Sequence, residues 1–81
     1  MQNKKTPNGN ILSTKDLGIA IRRKRKADGL TQFDAAALCG VGTRFLGELE
    51  RGKDTAQIGK ILRIVHGLGL ELHITSKGIP R

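Results

Sequence analysis

The sequence predicts an all-α domain of four to five short helices followed by a single β-strand. Apolar side chains recur every three or four residues in several short segments, which is the period of an amphipathic helix. Glycine follows these segments, at Gly29, Gly40, Gly52 and Gly67, and glycine commonly ends helices. Only residues 70–75 alternate apolar and polar side chains, which is the period of a strand.

Length and cysteine content indicate one small intracellular domain. The chain has 81 residues and one cysteine, Cys39. This length fits one domain, and a lone cysteine cannot form an internal disulfide, which fits a reducing cytoplasm. A domain of this size buries only about 60% of its unfolded surface. We therefore expect a cytoplasmic protein that is supported by a second copy of itself.

The charge distribution points to a polyanionic partner. The net charge is +8, and residues 1–26 contain eight Lys and Arg against one acid, Asp16. A basic surface of this kind is typical of nucleic-acid binders, so we expect the protein at the bacterial nucleoid. Only two aromatic residues are present, which is too few for the stacking surfaces of single-strand binders.

Several function classes find no support in the sequence. No apolar run approaches the roughly 18 residues of a membrane span, and the N-terminus lacks the apolar stretch of a secretory signal. The chain contains no metal-binding motif, nucleophile–base pairing or phosphate-binding loop. We therefore expect no membrane association, no metal, no cofactor and no catalytic site.

The first helix is expected at about residues 15–28, after a polar stretch over residues 1–12 that we interpret as a flexible arm. Ser13 or Thr14 can cap its N-terminus, because a hydroxyl accepts a hydrogen bond from a free backbone N–H there. Three residues spaced by four fall on one face of this helix. They are Leu17, Ile21 and Arg25.

Two short helices follow, joined by a tight turn. The second helix is expected at about residues 32–39 with Thr31 as its cap, and the third at about residues 43–51. Thr43 is a candidate cap for the third helix. Two short helices joined around Gly40–Gly42 form a helix-turn-helix, whose second member enters the major groove of duplex DNA.

The fourth helix is expected to begin at a cap on Asp54 or Thr55 and to end near Gly67–Gly69. Its apolar stripe is broad enough for two packing partners, one of them outside the subunit. The strand, residues 70–76, has no partner strand in the chain, so we expect it to pair with its copy across a twofold axis. Residues 77–81 are interpreted as a loose tail. The predicted dimer interface comprises Ile64, Leu68, Leu70, Leu72 and Ile74.

The front of the third helix contains the predicted base-reading residues. Thr43 and Arg44 lie at its start, and Glu48 follows Arg44 by about one turn. Arg can bind guanine O6 and N7, Thr offers a hydroxyl or a methyl, and Glu accepts from cytosine N4. Glu48 has two other interpretations, a solvated acid or a residue that holds Arg44 in place.

Four motifs in this region resemble a known family. "LTQ" at residues 30–32, Ala36, "GVG" at residues 40–42 and "LERGK" at residues 49–53 are similar to the Cro/cI-type, or Xre, family of helix-turn-helix regulators. The resemblance covers about residues 17–68 and implies a lambda-repressor-like fold for the helical domain.

The same resemblance implies roles for individual residues. In this family the Gln after "LT" contacts a phosphate, which assigns that role to Gln32, and an Arg of the first helix pairs with the Glu of "LERG". Here that pair is Arg25 and Glu50, which we expect to be structural. The predicted contacts to the DNA backbone are Gln32, Thr31, Arg22, Arg51 and Lys53.

The stretch "GKDTAQIGKILRIVHGLGLELHI", residues 52–74, resembles the HipB-type antitoxin branch of the family. These are small dimeric repressors that accompany a HipA-type protein kinase toxin. The resemblance implies a homodimer joined through its final strand over residues 70–76, bound to an inverted-repeat operator in double-stranded DNA. It also implies repression of the chain's own operon and a HipA-type kinase as partner.

Two alternatives stay open at this point. One is a free-standing or phage-type repressor without a toxin. The other is a protein-interaction adaptor whose helical domain, residues 13–69, no longer reads DNA.

Overall fold

The computed structural model describes residues 10–76, and this part of the chain contains four helices. They are α1 (Thr14–Ala27), α2 (Gln32–Cys39), α3 (Thr43–Glu50) and α4 (Ile58–Gly67). The predicted all-α class is confirmed with four helices. Most of the predicted N-terminal arm, and the tail at residues 77–81, lie outside the described residues.

Two of the predicted helix starts are present with the expected side-chain caps. The Ser13 hydroxyl accepts a hydrogen bond from the Asp16 backbone N–H at 3.1 Å, and Thr31 Oγ1 accepts one from the Asp34 N–H at 3.0 Å. Each hydroxyl satisfies a backbone donor that the first turn of its helix leaves free. At the other end of α2, Gly40 adopts a left-handed conformation with φ 73°, which a side chain would disfavour.

The third helix begins at Thr43 as predicted, but the caps predicted for the third and fourth helices were wrong. Gly42 precedes α3 without a side-chain cap, so Thr43 is the first helical residue. The fourth helix begins at Ile58 after Gln57, three residues beyond Thr55. Ala56 packs against the core, so the chain must reach inward before α4 can begin.

The core lies where the inner faces of all four helices meet. Ile21 of α1, with Leu46 and Leu49 of α3, are its largest fully buried side chains, together with one residue of α4. That residue is Ile64, which has 0% of its surface exposed, and Leu68 after α4 has 3%. Both were predicted at the dimer interface, and this is corrected. The apolar stripe of α4 packs instead into the core of its own subunit, where Ile61, Ile64 and Val65 are buried.

Close helix contacts depend on two glycines. A Cβ on Gly18 would lie 2.9 Å from the Glu50 carbonyl oxygen and nearer still to that of Leu49, so α1 touches the backbone of α3 there. A Cβ on Gly67 would lie 3.0 Å from Cys39 Cα, so α4 approaches α2 equally closely. Cys39 is buried at this contact, and burial raises the pKa of its thiol. These approaches hold α1 against α3 and α4 against α2.

Residues after α4 form an extended segment rather than a strand within the described chain. The Leu70 N–H donates to the Val65 carbonyl at 2.8 Å, which turns the segment back along the core. Leu72 and Ile74 are exposed, Ile74 to 92%. Between residues 10 and 76, the backbone groups of residues 71–76 form no hydrogen bond with one another or with the rest of the subunit. The shared strand therefore stays a prediction.

No helix in the described part of the chain has the length and apolarity that crossing a bilayer requires.

Candidate nucleic-acid interface

The turn between α2 and α3 presents the front of α3 to solvent. The Val41 N–H donates to the Ala36 carbonyl at 3.0 Å, which fastens the turn to α2. Leu46 and Leu49, on the inner face of α3, are fully buried. Thr43 and Arg44, at the start of the same helix, are exposed. The Arg44 side chain has 90% of its surface exposed. The helix is therefore seated by its aliphatic face and offers its polar front to a partner.

Arg44 belongs to a three-residue charge network with Glu48 and Lys53. Arg44 Nε donates to Glu48 Oε2 at 3.2 Å, and Lys53 Nζ donates to Glu48 Oε1 at 3.0 Å. The hydrogen bonds from Lys53 and then Arg44 hold the pKa of Glu48 below its ordinary value. The structure therefore places predicted base-reading and backbone-contact residues in one cluster.

Behind this surface, Arg25 and Glu50 form the predicted ion pair between α1 and α3. Arg25 Nε and Nη2 donate to the two Glu50 carboxylate oxygens at 2.6 and 2.9 Å. Burial opposes ionisation of Glu50, but the hydrogen bonds from Arg25 and Gln32 outweigh it and lower the pKa of Glu50. The bond to Glu50 raises the pKa of Arg25. Both groups are therefore charged at neutral pH, and they lock α3 against α1.

Gln32 connects this pair to the surface. Its Nε2 donates to Glu50 Oε1 at 3.1 Å, and within residues 10–76 the second amide hydrogen has no partner. A Cβ on Gly47 would lie 3.4 Å from Gln32 Oε1 and 3.6 Å from Arg51 Nη1. The amide of Gln32 and the guanidinium of Arg51 therefore lie over Gly47. This position is at the edge where α2 begins and α3 ends.

A known protein family shares the helix-turn-helix geometry of α2 and α3. A model of the helix-turn-helix family HTH_3 matches residues 21–74, which is more than half of the chain. The chain belongs to the helix-turn-helix family of transcriptional regulators. The family comprises DNA-binding regulators, and the predicted Xre-type resemblance is confirmed.

Individual proteins agree with this assignment. The chain is 43% identical over 71 residues to the HTH-type transcriptional regulator y4mF of Sinorhizobium fredii (strain NBRC 101917 / NGR234), covering 88% of this chain and 93% of that protein. Two solved structures share its fold, a HipA–HipB–O2–O3 complex with TM-score 0.79 and a HipB–O4 20mer complex with TM-score 0.78. In each complex the matched chain is 21% identical to this one. The match covers 86% of this chain and 99% of the matched chain.

In a helix-turn-helix regulator, the second helix of the motif is the recognition helix. In this chain that helix is α3. The remaining predicted backbone contacts flank α3 in different ways. Thr31 uses its oxygen as the cap of α2, next to Gln32. Arg22 is exposed on α1, and its positive charge contributes to the lowered pKa of Glu50. Arg22 precedes Arg25, the partner of Glu50, by three residues, so it lies on the side of α1 that faces α3.

Sequence reasoning missed Lys60 of the first turn of α4. Its Nζ lies 5.4 Å from the centroid of the Phe45 ring, within reach of a cation–π contact. Lys60 and Lys53 line a small cleft of about 150 Å³ between α3 and the α3–α4 loop. A cation in the first turn of a helix opposes the helix dipole, and this local conflict was the available signal. Lys60 adds positive charge beside the recognition helix.

A second surface lies away from the recognition helix. An open, mainly apolar groove of about 550 Å³ separates α1 from the C-terminal extended segment. Leu17, Leu70 and Leu72 line it, with Arg23 and Glu71 among its polar residues. Of the five predicted dimer residues, Leu70 is half-buried and Leu72 and Ile74 are exposed, so these three remain accessible to a second subunit.

Metal ligands do not cluster in the described residues. Within residues 10–76, no three His, Cys, Asp or Glu side chains are placed to hold one ion.

Proposed function

We propose that this regulator is a homodimeric transcriptional repressor that reads an inverted-repeat operator with α3. The observation that carries the proposal is the exposed Arg44 at the front of a recognition helix whose opposite face is fully buried. An exposed guanidinium at that position can form two parallel hydrogen bonds to guanine. Thr43 lies beside it and can contact an adjacent base.

The backbone contacts are proposed to lie around this reading surface. Gln32 and Thr31 stand at the N-terminus of α2, where backbone N–H groups favour a phosphate. Arg22, Arg51 and Lys53 are exposed and can neutralise neighbouring phosphates. Such contacts orient the helix on the duplex but add no direct sequence information.

The dimer is proposed to form through residues 70–76. Residues 71–76 are extended, and within the described chain their backbone donors and acceptors are unpaired, with Leu72 and Ile74 exposed. Pairing with the same segment of a second subunit would satisfy those groups and bury apolar surface. Two recognition helices could then enter successive major grooves about 34 Å apart.

The finer proposal is that the repressor is the antitoxin of a toxin–antitoxin operon and represses that operon. Its support is the shared fold with HipB in a HipA–HipB complex. We propose a HipA-type protein kinase as the partner. A tagged chain purified from its native host should retain a kinase-sized protein encoded in a neighbouring reading frame. If no such protein copurifies with the tagged chain from native extracts, a free-standing repressor would be favoured.

The DNA-binding proposal is tested by selection. Wild-type protein is incubated with a library of random 30-bp duplexes, and the bound fraction is amplified and sequenced over several rounds. We expect one enriched inverted repeat, which is called the operator below. Enrichment of no sequence, together with retained binding of a protein partner, would instead support an adaptor.

A further inference from the structure

Glu48 stands out because its carboxylate is the shared partner of two cations on the DNA-facing side. Oε2 accepts from Arg44 Nε and Oε1 accepts from Lys53 Nζ. The Glu48 side chain has 23% of its surface exposed, against 90% for Arg44 and 49% for Lys53. The acid therefore lies beneath the cations that it holds, rather than in front of them.

We propose that Glu48 is a positioning residue that sets sequence specificity by restraining Arg44 and Lys53, and that it does not itself read a base. This inference rests on the proposed DNA-binding function. It departs from the sequence prediction that Glu48 accepts from cytosine, and it takes up the alternative in which Glu48 holds Arg44.

The orientation of Arg44 supports a positioning role for Glu48. Glu48 engages Nε, and among residues 10–76 neither Nη atom of Arg44 has a hydrogen-bond partner. The Nη side therefore remains available for guanine O6 and N7 while Nε stays bound to Glu48. A guanidinium that is already fixed in this way loses less side-chain entropy when it binds.

The charge balance of the three side chains supports an effect of Glu48 on sequence specificity. Arg44, Lys53 and ionised Glu48 sum to one positive charge instead of two. Non-specific binding depends on how many phosphates the protein neutralises. On a random duplex, attraction to phosphate supplies nearly all of the binding, and the charge of Glu48 offsets part of that attraction. On the operator, the restrained guanidinium also binds guanine through its Nη atoms, and this restraint compensates for the lost attraction. Glu48 therefore weakens non-specific binding more than specific binding.

The test compares Glu48→Gln with wild type on two probes, the operator and the unselected 30-bp library. We expect affinity for the library to rise about threefold to tenfold, and its salt slope to steepen by about one because one more phosphate is neutralised. Operator affinity should change by less than the library affinity, so the ratio of the two affinities falls. The library result and the slope are readouts that a merely structural role would not move.

Asp28→Asn is the matched control. Asp28 also forms a salt bridge with a cation four residues away, Lys24, at 3.2 Å, and its replacement changes the net charge by the same amount. It lies outside α2 and α3. We expect Asp28→Asn to leave the affinity ratio unchanged. If both substitutions changed the affinity ratio equally, net charge alone would explain the effect of Glu48→Gln, and the proposal would be overturned.

Two further variants separate positioning from charge. Glu48→Asp keeps the charge but shortens the side chain, so it cannot hold both cations and the affinity ratio should still fall. In an Arg44→Ala, Lys53→Ala background, Glu48→Gln should have no effect on library affinity, because the residues through which it acts are gone. An unchanged ratio in Glu48→Asp would contradict positioning.

The outcomes also separate this inference from the function on which it rests. If wild type enriches no operator, both fail. If it enriches one, and Glu48→Gln leaves library affinity unchanged while losing preference at one cytosine, then Glu48 reads that base and only this inference fails. Thermal unfolding of each variant confirms that the compared proteins are folded.

Discussion

Arg25 and Glu50 form a buried ion pair with two hydrogen bonds, and this pair joins α1 to the recognition helix. The same guanidinium donates from Nη1 to the Leu30 carbonyl at 2.8 Å, so one side chain also fixes the turn that leads into α2. Glu50 in turn accepts from Gln32 at the start of α2. One polar cluster therefore ties α1, the turn before α2 and both helices of the DNA-binding motif together.

Glu50→Ala should destabilise the protein strongly, because it leaves a buried guanidinium without its partner. Removing one member of a buried pair costs about 3–5 kcal/mol, and urea unfolding at fixed protein concentration measures it. The double variant Arg25→Met, Glu50→Leu is the control, since replacing a whole pair with apolar side chains is often neutral or stabilising. Equal losses in the single and double variants would contradict this account of the pair.

Gly18→Ala should separate α1 from α3, since a Cβ there would overlap the carbonyl oxygens of Leu49 and Glu50. We expect a loss of about 1–3 kcal/mol, typical of overpacking a fitted contact. Gly59→Ala in α4 is the matched control, because nothing lies within 4 Å of its Cβ position. It should stabilise the protein by about 0.5–1 kcal/mol through reduced chain entropy. Thermal unfolding of both variants decides the matter, and a harmless Gly18→Ala would disprove the close approach.

Arg22→Ala should weaken binding to every duplex and reduce the salt slope by about one, as expected for a lost phosphate contact. Arg23→Ala removes the same charge from the neighbouring position, but Arg23 lines the groove on the C-terminal side. Its salt slope should therefore match that of wild type. The measurement is a titration of duplex DNA with each variant at several salt concentrations. Equal salt slopes for the two variants would show that Arg22 makes no phosphate contact.

Leu72→Pro should weaken the dimer, because proline removes a backbone donor from the proposed shared strand. Leu72→Ala keeps that donor and tests the contribution of the side chain alone. Sedimentation of both variants at micromolar concentration reports the dissociation. A Leu72→Pro protein that remains fully dimeric would show that residues 70–76 do not join the subunits.

Local signals in the sequence were sufficient for most of the fold. Hydroxyl caps at Ser13 and Thr31 and glycine stops marked the helices correctly, because these effects act within one turn of the chain. The start of α4 was misplaced because the packing of Ala56 depends on the tertiary fold. Ile64 and Leu68 were misassigned for a similar reason, since a broad apolar stripe does not tell whether its second partner belongs to the same subunit.

The candidate site was predicted unevenly. The four-residue spacing of Arg44 and Glu48 already suggested their contact, because residues at this spacing are neighbours on a helix. Lys53 reaches Glu48 only because the chain turns back after α3, which no periodic pattern records. The contact of Lys60 with Phe45 joins α4 to α3, so it also depended on the folded structure.

The central claim is that Arg44 at the front of α3 reads a base in the operator. The most direct measurement is quantitative titration of wild type and Arg44→Ala on the selected operator and on operators altered at each base pair in turn. We expect Arg44→Ala to lose about 1–3 kcal/mol on the operator and to lose its preference at one guanine in each half-site. Unchanged affinity and an unchanged pattern of base preference would contradict the account.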